Sequence, residues 1–235
     1  MSTAISIATI PGRETALGRC VMDLPRDIPI HVFAARQLKG KDYDLSKVGN
    51  LPKNVNLTVT EDTLSIRKLS YILDEPYEYI IQLDDDAIYT PETVPRLMKG
   101  IQDNPQHSIS FRGKILQQGL SYYSTPVIEG AYRGKRKRVI YAPEGMIVDM
   151  FIGVWGVIHR KDYFDRSALL ETAAKYPTAD DVVISAHLRE RGILVKVVAL
   201  DREPKPLRER YSNALCVYNK ESGETDRAIN DLFYS

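Results

Sequence analysis

The order of hydrophobic and polar positions over the first hundred residues predicts alternating strands and helices. Short apolar or alternating runs indicate strands, and polar segments with glycine or proline separate them. The predicted strands are Ala4–Thr9, Ile28–Ala34, Val55–Thr60 and Tyr79–Leu83. The predicted helices are Arg13–Met22, Thr63–Asp74 and a third that starts after the N-cap Thr90 and runs to about Gln102. This alternation predicts an α/β fold with a mostly parallel central sheet flanked by helices.

The second half of the chain has a different pattern, with shorter strands and more glycine. We expect a smaller antiparallel sheet there, beside the main one. The predicted strands are Ser108–Phe111, Lys114–Gln117, a glycine-punctuated pair within Asp149–His159, and Ile193–Leu200. The predicted helices are Ala179–Arg191, which begins with two carboxylates, and Glu224–Phe233 in a polar C-terminal tail.

Composition and charge limit the classes of function. The chain has 235 residues, 43% of them hydrophobic, and a net charge of +1, so it can build a core but has no overall field that attracts nucleic acid or anionic lipid. The one strongly basic stretch is RGKRKR at 133–138. It could bind RNA or DNA, cover a diphosphate or an acidic acceptor, or simply lie in solvent. We expect no nucleic-acid partner.

Cysteine use and hydropathy predict a soluble cytoplasmic protein. Cys20 and Cys216 are far apart and match no metal-binding spacing, which favours free thiols in a reducing compartment. The N-terminus reads as a first strand and not as a signal peptide, because no basic region precedes an apolar core. No apolar run approaches the roughly 20 residues that a membrane-spanning helix needs.

Three consecutive carboxylates, Asp84, Asp85 and Asp86, directly follow the predicted strand Tyr79–Leu83. Alternate residues of an extended chain face the same side, so Asp84 and Asp86 can share one ligand. Mn²⁺ and Mg²⁺ prefer hard oxygen ligands, of which the protein supplies few and phosphate and water the rest. The pattern favours a divalent metal held against a nucleoside diphosphate; an acidic turn in solvent is the alternative.

Polar and basic residues near the same sheet edge are candidate donor contacts. In the loop after the first strand, Arg13 could bind a phosphate or a pyrimidine carbonyl, and Thr9 and Pro11 would shape the pocket wall. Arg67 or Lys68, on the predicted helix before the triplet strand, could reach the base or a phosphate. For all three basic residues a solvated surface position is the alternative.

The second half holds the candidate base and acceptor residues. Asp180 and Asp181 open a predicted helix, where they either stabilise its N-terminus or accept a proton from a hydroxyl. The segment Gly153–Gly156 contains Trp155, which could stack on a sugar ring or pack in the core. His159 could complete a metal site with Asp84 and Asp86, although an isolated histidine is more often structural.

Taken together, the strand-1 loop, the LDDD motif, the GVWG segment and ADDVVISAHLRERG resemble a GT-A glycosyltransferase over roughly residues 4–200. The chain looks most similar to small family-2-like enzymes of bacteria and large DNA viruses. The resemblance implies a single Rossmann-like GT-A domain over 1–200, with a nucleotide half at about 1–105 and an acceptor half at about 106–200. Residues 201–235 would then form a C-terminal extension with a short helix.

The resemblance also implies roles for individual residues. Asp84 would lie on the ribose side and with Asp86 hold Mn²⁺ or Mg²⁺, Asp85 would contact the donor, and Asp181 would be the general base with Asp180 as the preceding acid. Gly153, Trp155 and Gly156 would contact the acceptor. The implied activity is an inverting transfer of a sugar, with a UDP-sugar favoured as donor, to a hydroxyl of a glycan or another acceptor.

Other functions remain open at this point. A sugar-nucleotide nucleotidylyltransferase also uses metal-binding aspartates, but TIPGRE is a poor version of the glycine-rich loop that such an enzyme needs. A non-catalytic module that binds nucleotide sugars or carbohydrates would keep the fold and need no base.

Overall fold

The computed structural model describes residues 2–61, 65–131, 138–143, 145–207 and 221–234. Its strands are β1 Thr3–Thr9, β2 Ile30–Ala35, β3 Gln37–Leu38, β4 Lys41–Asp42, β5 Val55–Thr60, β6 Tyr79–Asp84, β7 Ala87–Ile88, β8 His107–Ser110, β9 Arg112–Lys114, β10 Val127–Glu129, β11 Val139–Tyr141, β12 Met146–Val148, β13 Met150–Phe151, β14 Val157–Arg160, β15 Leu194–Val197 and β16 Lys205–Pro206. Its α-helices are α1 Glu14–Val21, α2 Arg67–Ser70, α3 Thr93–Asp103, α4 Arg166–Lys175, α5 Asp180–Glu190 and α6 Glu224–Phe233.

The core of the protein is an eight-stranded sheet in the order β12-β15-β8-β14-β6-β1-β2-β5. The half formed by β6, β1, β2 and β5 is entirely parallel, and β14 and β12 are the strands that run against the rest. Because parallel strands share one carboxyl edge, β1 and β6 end side by side, with Ala8 opposite Asp84. This register sets the acidic triplet next to the loop after β1.

Both faces of the sheet are covered by helices. Successive residues of a strand point to opposite faces, so Ile80 packs in one hydrophobic cluster and Ile81 in the other. The first cluster contains residues of α2, α5 and α6, and the second contains residues of α1 and α3. Burial on both faces explains why β6 reads as an apolar run without alternation.

A second sheet of four strands, in the order β11-β10-β9-β13, lies in the second half of the chain. Its pairs are antiparallel except for β10 and β11. The backbones of β9 and β13 approach closely, and a Cβ at Gly113 would lie 2.6 Å from the Met150 carbonyl oxygen. This sheet is the smaller one that the sequence predicts, although three of its strands differ in position from the predicted ones or were not predicted.

The predicted C-terminal extension is partly built into the domain. Helix α6 packs against α5, and Ala228, Ile229 and Phe233 belong to the first hydrophobic cluster. Strand β16 pairs with β7, directly after the acidic triplet.

Two predictions from the sequence fall largely outside the described residues. Cys20 is a buried free thiol, whereas Cys216 is not among the described residues. Of the basic stretch RGKRKR, Arg138 alone is described. Within the part of the chain that the structure describes, no helix combines the length and hydrophobicity needed to cross a bilayer.

Candidate active site

A cleft of about 300 Å³ lies at the carboxyl ends of β1 and β6, against the start of α5. Ligands of open α/β sheets bind at this edge. The cleft is lined by nine of the residues singled out in the sequence: Thr9, Arg13, Arg67, Lys68, Asp84, Asp85, Asp86, Asp180 and Asp181. The acidic triplet and the acidic pair, 94 residues or more apart in the chain, therefore line one cleft.

The backbone of the acidic triplet is held in place on both sides. The Asp84 N–H donates to the Tyr89 hydroxyl at 2.7 Å, and that hydroxyl donates to the Asp84 carbonyl at 3.2 Å. The Leu207 N–H donates to the Asp86 carbonyl at 2.7 Å, next to the β7–β16 pair. These bonds fix the backbone on both sides of the turn at Asp85 and Asp86, so the acidic triplet is a structured turn at the end of β6.

Arg13 is the cation next to the triplet. Its Nη1 lies 2.6 Å from Asp85 Oδ1 and 3.4 Å from Asp86 Oδ2. Asp85 is almost fully buried, and burial raises its pKa although Arg13 opposes the shift. Burial and the neighbouring Asp84 raise the pKa of Asp86 to about 6. One guanidinium therefore does not offset the negative charge of three carboxylates.

Arg67 and Lys68 lie inside the protein and not on a helix surface. Arg67 donates from Nη2 to the Thr9 carbonyl at 2.7 Å and from Nε to the Phe33 carbonyl at 3.2 Å, so it joins the ends of β1 and β2. Lys68 Nζ lies 3.1 Å from Asp84 Oδ1 and 3.2 Å from Asp180 Oδ2. The lysine thereby connects the triplet to the acidic pair.

The acidic pair occupies the first turn of α5. The Gly153 N–H donates to Asp181 Oδ2 at 3.0 Å, and a Cβ at Gly153 would come within 3.0 Å of the other carboxylate oxygen. Burial and the adjacent Asp180 raise the pKa of Asp181 to about 7. A carboxylate with a pKa near neutrality is suited to accept a proton at physiological pH.

The structure corrects the predicted acceptor contacts at Trp155 and Gly156. Trp155 is 4% exposed and belongs to the second hydrophobic cluster, with the Arg112 guanidinium 4.8 Å from its ring centroid. Gly156 has a φ of +107°, and a Cβ there would lie 2.9 Å from a methyl carbon of Leu83. Both residues serve the core and the turn before β14, and neither lines the cleft. Gly153 contacts the site only through its backbone, and Pro11 does not line the cleft.

His159 is also corrected, because it does not line the cleft with Asp84 and Asp86. Its ring is fully buried, with Nδ1 2.8 Å from Ser108 Oγ and the rings of Phe151 and Phe164 against it. Burial, with a further effect of Lys68, lowers the pKa of His159 to about 3. It is a neutral core histidine outside the cleft, so it is not placed to complete a metal site with Asp84 and Asp86.

The cleft residues that the sequence analysis missed include Tyr122, Tyr123, Thr178 and Thr225. The adjacent pair of tyrosines within the polar segment QQGLSYYS is a signal that could have identified two of them. Thr225 lies in the predicted extension, and no pattern in the sequence connects it to the cleft.

The cleft fits a divalent cation by charge. Across the described residues, no three Asp, Glu, His or Cys side chains form a ready-made metal cage. The cleft is lined by five carboxylates and three basic side chains, a difference of two negative charges when all are ionised. A Mg²⁺ or Mn²⁺ ion needs only one or two protein carboxylates when phosphate and water supply its other ligands. Asp84 and Asp86 could supply these oxygens.

Comparison with known proteins supports the fold. No family model and no curated protein matches the sequence. Among solved structures, the crystal structure of residues 1–349 of S. aureus TarS, a glycosyltransferase, matches with a TM-score of 0.51 and 12% identity, covering 100% of this chain and 67% of that one. This likeness confirms the predicted fold class, a single α/β domain of the GT-A kind. The resemblance to family-2 and viral enzymes stays a prediction.

Proposed function

We propose that this protein is a metal-dependent glycosyltransferase that moves a sugar from a nucleoside-diphosphate sugar to a hydroxyl acceptor. The observation that carries the proposal is the single cleft that joins the acidic triplet to the acidic pair, with Lys68 within 3.2 Å of a carboxylate from each. The glycosyltransferase-like fold supports it.

In this proposal the triplet end of the cleft binds the donor. Asp84 and Asp86 would hold Mn²⁺ or Mg²⁺, which when bound stabilises the charge that develops on the leaving diphosphate. Arg13 is fixed by Asp85, so its guanidinium supplies positive charge at a defined place beside the donor. Arg67 keeps the ends of β1 and β2 together, so it acts as a positioning residue for the loop after β1 that carries Arg13.

The acidic pair supplies the base. Asp181 takes the proton of the acceptor hydroxyl while that oxygen attacks the anomeric carbon and the bond to the diphosphate breaks. Asp180 is held by Lys68 and is the less available of the two carboxylates. One displacement inverts the configuration at the anomeric carbon. We take a UDP-sugar as the first donor to test.

The proposal is tested by following nucleotide release and glycoside formation from UDP-, GDP- and dTDP-sugars with Mn²⁺ or with EDTA. Asp181→Asn removes the base with little change in shape. Asp162→Asn, at an exposed acid paired with Arg160, is the matched control.

We expect turnover that EDTA abolishes, wild-type activity in Asp162→Asn and a loss of at least about a hundredfold in Asp181→Asn. Full activity of Asp181→Asn would contradict the assigned base. A wild-type protein that binds a nucleoside diphosphate but never turns over its sugar would favour the non-catalytic module instead.

A further inference from the structure

The cleft has a second wall that the proposed function does not use. It is formed by aromatic, apolar and hydroxyl side chains, namely Tyr122, Tyr123, Met150, Ile152, Thr178 and Thr225. These six residues carry no formal charge at neutral pH, whereas the opposite end of the cleft holds Arg13 and the acidic triplet. The two ends of the cleft are therefore chemically different.

The position of Thr178 places this wall at the base end, because Thr178 lines the cleft two residues before Asp180. The pKa of Tyr122 agrees with this position, since it is raised by burial and by Asp181 and, less strongly, Asp180. The carboxylates that act on Arg13 are instead the three of the triplet. The tyrosine wall thus lies on the side of the cleft where an acceptor hydroxyl would meet its base.

The two tyrosine rings are held in a defined arrangement. They pack edge to face, with centroids 5.0 Å apart and an interplanar angle of 87°. Lys114 Nζ lies 4.4 Å from the Tyr122 ring centroid and donates to the carbonyls of Tyr122 and Thr125 at 2.8 and 2.9 Å. Lys114 therefore holds Tyr122 in place, whereas Tyr123 is 37% exposed and borders the cleft.

The C-terminal helix α6 supports the same wall. The Tyr122 N–H donates to Asp226 Oδ1 at 2.5 Å. Glu224 Oε1 accepts from the Thr178 N–H at 2.7 Å and from the Thr178 hydroxyl at 2.8 Å. Thr225, between these two acids, lines the cleft itself. The tail thus has a role in the site, which the sequence analysis did not predict.

We propose that Tyr122, Tyr123, Thr178 and Thr225 form an acceptor subsite for a neutral carbohydrate. The inference rests on the proposed function and names its acceptor class. An aromatic ring packs well against the C–H face of a sugar, and a few hydroxyl groups then fix its orientation. The absence of charge among these side chains favours a neutral sugar over a phosphorylated or carboxylated acceptor.

The test is binding of methyl glycosides of glucose, galactose and N-acetylglucosamine, measured by saturation-transfer NMR in the presence of UDP and diamagnetic Mg²⁺. Tyr123→Ala removes an exposed ring, Tyr123→Phe keeps the ring, and Tyr141→Ala removes another exposed tyrosine that does not line the cleft. Thermal melting checks that each variant is folded.

We expect at least one glycoside to bind, with affinity about tenfold weaker in Tyr123→Ala and close to wild type in the other two variants. Equal binding by wild type and Tyr123→Ala, or no binding of any glycoside by a wild type that binds UDP with Mg²⁺, overturns the subsite. Glycoside binding that depends on Tyr123 in a protein that never binds a nucleoside diphosphate would instead count against the proposed donor site alone.

Discussion

The two acidic clusters of the cleft are made of the same residue type but are stabilised differently. The triplet follows a buried strand, where Arg13 pairs with Asp85 and Asp86 and Lys68 pairs with Asp84. The pair opens a helix, where the helix dipole, the Gly153 N–H and Lys68 meet its charge.

The ion pairs distinguish a carboxylate with a structural role from those that can bind a metal or accept a proton. Asp85 is buried in its ion pair with Arg13 and keeps that arginine in place. Burial and a neighbouring carboxylate raise the pKa of Asp86 to about 6 and that of Asp181 to about 7. Burial also raises the pKa of Asp85, but that carboxylate is paired directly with Arg13 at 2.6 Å. A bound cation or a proton stabilises the carboxylates of Asp86 and Asp181 most, because it neutralises their buried charge. We therefore expect the metal at Asp86 and proton transfer at Asp181.

The largest effect is expected within the acidic pair. Asp181→Asn should lower kcat by about 10²–10⁴-fold, the usual contribution of a general base. Asp180→Asn should cost about tenfold or less, because Asp180 is already ion-paired with Lys68 and is not the proton acceptor. Steady-state kinetics with a saturating donor compare the two variants. A larger loss of kcat in Asp180→Asn than in Asp181→Asn would assign the base to Asp180.

A smaller effect is expected where the two clusters meet. Lys68→Met leaves Asp84 and Asp180 without the ammonium between them, which should lower the free energy of unfolding by about 3 kcal/mol. Denaturant unfolding measures the loss, and Lys68→Arg, which keeps the charge, is the control. Wild-type stability and turnover in Lys68→Met would mean that the two clusters act independently.

The smallest effect concerns His159, the titratable core residue that the structure removes from the site. Its folded pKa of about 3 lies below the ordinary value of 6.5, so between these pH values the unfolded chain binds a proton that the folded protein does not. Stability is therefore lost as the pH falls below 6.5.

For His159→Gln we expect the drop in unfolding free energy between pH 7 and pH 5 to be smaller than in wild type by about 2 kcal/mol. Urea unfolding at both pH values measures the difference. An identical pH dependence in the two proteins would mean that His159 is accessible to protons, which would reopen its assignment as a site residue.

The elements with strong local patterns were predicted well. The apolar run of β6, the alternating pattern of β5 and the amphipathic helix at Glu224–Phe233 lie at or within one residue of their predicted bounds. The triplet could be placed at the sheet edge because a buried parallel strand before an acidic turn is a local feature.

Other elements depend on contacts that the sequence does not display. Strands of three residues such as Val127–Glu129 are too short to show a period, and the predicted strand Lys114–Gln117 lies instead at Arg112–Lys114. Helix α4 was missed although Asp165, which accepts from the Ser167 and Ala168 N–H groups, is a recognisable N-cap.

The same limit applies to the site. Lys68 reads as a surface lysine on an amphipathic helix, and only the tertiary structure shows it buried between Asp84 and Asp180. Trp155 reads equally well as a sugar platform or a core residue. The position of Arg112 over its ring, which decides the question, is a long-range contact.

The most direct test of the central claim is the thermal stability of wild type and Asp86→Asn with UDP, GDP or dTDP, each with and without Mn²⁺. A ligand that binds the folded state alone raises the melting temperature. We predict that one diphosphate stabilises the wild type only when Mn²⁺ is present and that Asp86→Asn loses this stabilisation while its melting temperature without ligand changes little. No shift with any diphosphate, or an equal shift in both proteins, would contradict a donor–metal site at the acidic triplet.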